Sequence, residues 1–134
     1  MFSFSNIIYS QINLVPNPGF EEYISCPDDY GEFDRVKYWF NTTLGTPDYY
    51  NACSITKNPD VPNNNMGYQY ARTGAAYVGI FTASDSIYPN YREYIAAKLL
   101  NILSAEKKYK VEFYVSLSDS SNLAADGFGI YFSI

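Results

Sequence analysis

Residues 109–118 read YKVEFYVSLS, and apolar and polar side chains alternate there without a break. Val111, Phe113, Val115 and Leu117 share one face; Lys110, Glu112, Tyr114, Ser116 and Ser118 share the other. A period of two predicts a half-buried β-strand. No segment shows helical periodicity of comparable clarity. Residues 75–82 (AAYVGIFT) and 128–134 (FGIYFSI) predict two further strands, and residues 12–15 a short one stopped by Pro16. Residues 92–103 come nearest to a helix pattern, yet Ile95, Ala97 and Leu99 also alternate, so the first half reads as strand. The stretches between are turn-rich: PNPG at 16–19, CPDDYG at 26–31 and NPDVPNNNMG at 58–67. Short strands between long Asn/Gly/Pro loops predict an all-β, antiparallel sandwich or barrel, as one domain over residues 12–134.

The chemistry is narrowed by what is missing. There is no histidine in 134 residues. This excludes a Ser-His-Asp triad, a Cys-His pair and every His-ligated metal. The net charge is -5 and no basic cluster breaks it, so nucleic acid and anionic membrane surfaces are poor partners. No stretch approaches the roughly 18 apolar residues that span a bilayer. Residues 1–11 are apolar but short and lack a positive start. They read either as the end of a secretory signal or as a disordered leader.

Cys26 and Cys53 both sit in loop-like contexts. Two cysteines without histidine cannot make a structural zinc site. A disulfide between them would close a loop of about 28 residues, worth about 3.5 kcal/mol by chain entropy. Two free buried thiols are the alternative. The disulfide is favoured, and with it an extracytoplasmic home. The excess negative charge lies in residues 1–60, mostly in Glu21, Glu22, Asp28, Asp29, Glu32 and Asp34. That cluster reads as a solvated acidic loop or as a calcium site, since hard cations want several carboxylate oxygens.

NLVPNPGFE at 13–21 resembles the first strand of galactose-binding-like jelly-roll domains, a fold common among carbohydrate-binding modules. Trp39-Phe40, GAAYVG at 74–79 and YKVEFYVS at 109–116 follow in the order such domains show. More narrowly, NLVPNPGFEEY, WFNTTLGTPDYYNACS and YREYIAAKL resemble an N-terminal module of secreted Gram-negative surface proteins with sorting-signal or OmpA-like domains. The resemblance implies a jelly roll, a longer parent chain with further domains, and a calcium site using Glu21. The family's closing strand, with its calcium-binding Asp, does not follow Ile134. The sandwich is therefore expected to lack its last strand, and the calcium site one of its ligands.

Aromatic residues make up 19% of the chain, Tyr alone 15 residues. Sugar recognition needs flat aromatic faces for pyranose C–H groups and planar polar groups for the hydroxyls. Trp39 with Asn41, Asp48 with Tyr49 and Tyr50, and Tyr68-Gln69-Tyr70 with Arg72 supply both. Each also has a plain structural reading, as core, loop staple, sheet stacking or surface ion pair. A glycosidase would need only two carboxylates, and Glu21, Glu93, Glu112 and Asp126 exist, but no motif singles out a pair. The expectation is a secreted or cell-surface, non-catalytic carbohydrate-binding module, with no cofactor beyond a structural Ca²⁺. A structural or adhesive envelope module and a hydrolase accessory domain are the alternatives.

Overall fold

A computed structural model describes residues 11–82 and 91–133. The expected leader, apart from Gln11, and the last residue of the expected strand 128–134 lie outside them.

Six short strands carry the fold: β1 (Trp39–Asn41), β2 (Asp48–Asn51), β3 (Asn63–Asn64), β4 (Gly67–Tyr68), β5 (Ala76–Gly79) and β6 (Ile95–Ala97). They form three antiparallel pairs: β1 with β6, β2 with β5 and β3 with β4. The one helical element among the described residues is a 3-10 turn, Phe33–Arg35. The all-β class holds. β5 and β6 lie within the expected segments 75–82 and 92–103.

β1 and β2 arise outside the segments expected as strand. In β2 the residues Tyr49, Tyr50 and Asn51 are all buried, so both faces are covered and the alternation that marks a half-buried strand is lost. Tyr50 stands directly opposite Tyr77 in the β2–β5 register, with the rings stacked 4.9 Å apart. Such cross-strand aromatic pairs stabilise a ladder by about 0.5–1 kcal/mol.

The core is small. Phe33, Val36, Tyr49 and Ala76 are buried, and Phe20, Tyr23, Trp39, Val78 and Ile95 pack around them. Asn17 organises its rim. It sits at φ 43, a left-handed conformation that Asn tolerates better than most residues. Its amide donates to the carbonyls of Glu22 and Lys37, and its Oδ1 accepts from Glu22 N–H. Its own carbonyl accepts from the Trp39 indole at 3.0 Å. The NPGFE segment is thus a packing device: Phe20 meets Trp39 at 4.9 Å, and Glu21 reaches across to β5.

A disulfide joins Cys26 to Cys53, with Cα atoms 5.7 Å apart. It ties the 26–31 loop to the turn after β2. The same loop is neutralised from within. Arg35 donates to the Cys26 carbonyl, to Glu32 and to Asp28. Glu32 Oε2 accepts from the amides of Asp28 and Asp29.

Three expected strands do not pair. Residues 12–15, 109–118 and 128–133 join no ladder among the described residues. Leu14 contributes one backbone bond, accepting from Leu100 N–H. Val111, Phe113, Val115 and Leu117, the expected buried face, are each about half exposed, as are Phe128, Ile130 and Phe132. Alternation makes a segment competent for a sheet, but a ladder needs a second backbone alongside. Residues 116–120 instead lie against residues 65–69 and bond to them chiefly through side chains.

Candidate functional site

The β3–β4 hairpin is pinned from below by Asn64. Its amide donates to Asp60 O and Tyr77 Oη, and its Oδ1 accepts from Met66 N–H. The strand-patterned segment then fastens along it. Ser116 donates to Gln69 Oε1 at 2.7 Å, Ser118 to Met66 O at 2.6 Å and Ser120 to Asn65 O at 3.0 Å. Asp119 Oδ2 accepts from Tyr68 N–H at 2.8 Å.

This frame presents Tyr68 and Tyr70 to solvent, 57% and 64% exposed. The rings stand edge to face, perpendicular, with centroids 5.4 Å apart. The Tyr68 hydroxyl donates to the Tyr70 hydroxyl at 2.9 Å, which raises the Tyr68 pKa and leaves the Tyr70 proton free for another acceptor. Two residues on, the Arg72 guanidinium lies 4.5 Å from the centre of the Tyr114 ring. Tyr114 donates to Glu112, which also pairs with Lys110. The Lys110 hydrogen bond, then that of Tyr114, lowers the Glu112 pKa, and the Glu112 bond raises that of Lys110. Tyr68, Gln69, Tyr70 and Arg72 therefore come together as one exposed aromatic and polar surface, joined by Tyr114 and Ser116.

The other expected ligand residues lie elsewhere. Trp39 is half-buried against Phe20 with its N–H committed, and it borders a shallow groove of about 480 Å³ with Pro16, Tyr38 and Leu100. Asn41 closes a tight turn, donating to Gly45 O and accepting from Thr43 N–H. Tyr49 is fully buried; it donates to Phe20 O and accepts from the Asn51 amide. Burial pushes its hydroxyl up to about 12. It is a core residue, out of reach of a ligand in this fold. No family model, curated protein or solved structure matches the chain.

Asp48 is half-buried. It accepts from Gly31 N–H at 2.7 Å and from the Tyr50 hydroxyl at 3.1 Å. Burial, and then the charges of Glu93 and Asp29, raise its pKa above the ordinary 3.8 against the lowering effect of those hydrogen bonds. The folded state therefore binds this proton more tightly than the unfolded state. Stability from this group is greatest below about pH 3.8 and falls as pH rises through the raised folded value. Asp48→Asn keeps an acceptor for Gly31 and removes the buried charge. Urea titrations should find it more stable than wild type at pH 7, with the gain gone near pH 3. Equal stability of the two proteins at both pH values would remove burial of this charge as a cost to the fold.

Glu21, the expected calcium ligand, is engaged within the fold. Its Oε1 accepts from Ala75 N–H and Ala76 N–H at 2.9 and 3.0 Å. Gly74, at φ +68, leaves room for that carboxylate where a Cβ would collide with it. Among the described residues no group of three or more His, Cys, Asp or Glu is placed to hold a metal ion. Glu93 plays a similar part, accepting from Thr46 N–H, Phe81 N–H and the Tyr91 hydroxyl. Asn51 and Asn64 carry no sequence signal as site or scaffold residues. Asn17 is legible only as part of NLVPNPGFE, Glu93 only as one of four carboxylates, and Tyr114 only by its place on the polar face of residues 109–118.

Proposed function

We propose that this chain is a non-catalytic carbohydrate-binding module of galactose-binding-like jelly-roll type, working outside the cytoplasm. The observation that carries the reading is the surface formed by Tyr68, Gln69, Tyr70 and Arg72. Exposed tyrosines offer C–H-complementary faces at low entropic cost, and the free Tyr70 proton and the guanidinium offer donors to hydroxyls. The perpendicular rings suit a sugar lodged in the angle between them rather than one lying across two coplanar platforms. The disulfide fits an oxidising compartment, and no helix among the described residues is long and apolar enough to cross a membrane.

A glycan array on the oxidised protein tests this. Saturable binding to one glycan class is expected, unchanged by EDTA. Tyr70→Ala should weaken it about tenfold, the scale of one aromatic stacking contact. Tyr70 is the residue to change because Trp39 also holds the core. Silence across the array from folded protein would sink the proposal. It would turn attention to the structural or adhesive reading, which the exposed apolar rows at 111–117 and 128–132 favour.

A further inference from the structure

We propose that the glycan is acidic, and that Arg72 reads a sugar carboxylate from its seat on Tyr114. The inference rests on the carbohydrate-binding reading and narrows it to uronate-bearing polysaccharides.

Arg72 is exposed, with its guanidinium carbon over the Tyr114 ring, 4.5 Å from the ring centre. The cation–π contact restrains the side chain, whose five N–H donors form a planar fork. Among the described residues these donors meet no carboxylate or carbonyl: the ion pairs there belong to Arg35 and Lys110. Glu112, the acid whose field Arg72 shares, is already taken by Lys110 and the Tyr114 hydroxyl. The result is an unused planar fork, restrained in advance, whose best partner is a carboxylate held bidentately.

Its position suits a sugar. Arg72 is two residues from Tyr70, at most about 7 Å between Cα atoms, close to the width of one pyranose unit. A uronate lodged against Tyr68 and Tyr70 would bring its carboxylate toward the fork. The overall charge of -5 opposes any anion at long range, but salt screens beyond about 8 Å at physiological ionic strength. Within that range Lys110 cancels Glu112. Asp119 is held beside Tyr68, at the far end of the pair from Arg72 along the chain.

Calorimetry on the whole oxidised chain decides it, using three probes: a galacturonate oligosaccharide, its methyl ester and a neutral galactan oligomer of equal length. The free acid should bind about tenfold more tightly than the ester, with the difference shrinking in 0.5 M salt. Arg72→Gln should abolish the acid-over-ester preference, weakening acid binding far more than ester binding; Tyr70→Ala should weaken acid and ester alike. Arg72→Lys, which keeps the charge but loses the fork, should recover only part of the preference. Equal affinity for acid and ester would overturn the acidic-glycan inference and leave the sugar-binding reading standing. So would a preference that survives Arg72→Gln. Binding to none of the three, together with a silent array, would overturn both.

Discussion

Glu93→Ala should cost the protein about 4 kcal/mol of unfolding free energy, a large share of what a domain this size possesses. The carboxylate is 4% exposed and faces no cation among the described residues. Its charge is met by three donors instead: Thr46 N–H at 2.8 Å, Phe81 N–H at 2.8 Å and the Tyr91 hydroxyl at 2.9 Å. Its own N–H donates back to Phe81 O. Glu93 therefore bolts the turn after β1 to the end of the β5 segment and to the approach to β6. Alanine would leave these donors unpaired and open a void, and each lost bond to a charged acceptor is worth about 1.5–3 kcal/mol before relaxation. Glu93→Gln keeps one acceptor and turns an amide N–H toward Phe81 N–H, so it should cost about half as much. Urea unfolding followed by near-UV circular dichroism measures both. An alanine variant within 1 kcal/mol of wild type would mean that Glu93 is a passenger.

Opening the disulfide should have the second-largest effect. Cys26 and Cys53 are separated by 27 positions. Restraining a loop of that length stabilises by about 3.5 kcal/mol in the chain-entropy model. With so small a core, little else opposes the freed entropy. The Cys26→Ser/Cys53→Ser double variant should melt about 10 °C lower than the oxidised protein. Thermal melts with and without reductant should give the same ordering in wild type and no change in the variant. Coincident melts of wild type in both conditions would show that the loops are held by their other bonds, chiefly Arg35 to the Cys26 carbonyl.

These two features were unequally legible in the sequence. The cysteines stood out as a pair in loop contexts. Glu93 stands out in the sequence only as one of four carboxylates, because an acid looks the same there whether it meets a cation, a substrate or an amide. Glu21 is the same case, read as a calcium ligand and found clamping Ala75 and Ala76. The class was readable from alternation, and β5 and β6 fell where it occurred. β1 and β2 were missed for opposite reasons: three residues are too few to show a period, and a strand buried on both faces shows none. Residues 109–118 carry the best alternation in the chain, yet only Ser116 and Ser118 among them bond to the hairpin, through side chains rather than a ladder. Of the expected ligand residues, those near the hairpin converge because Tyr68, Tyr70 and Arg72 are spaced by two. Trp39 and Tyr49 do not, because large aromatic rings are the cheapest way to fill a core this size.

The two carboxylate clamps leave a mark on how this sequence can diverge. Each holds a neighbouring loop by its backbone N–H, a group every residue except proline supplies. Thr46, Ala75 and Phe81 can therefore change identity without releasing Glu21 or Glu93. The constraint falls on the acids themselves and on Gly74 and Gly45, where a Cβ would run into the clamp. The hairpin surface, by contrast, is fastened by exposed serines and displays exposed rings. Descendants of this chain would keep two acids and two glycines while the residues at 68–72 and 114–116 drift, a fixed chassis on which recognition can be rewritten one side chain at a time.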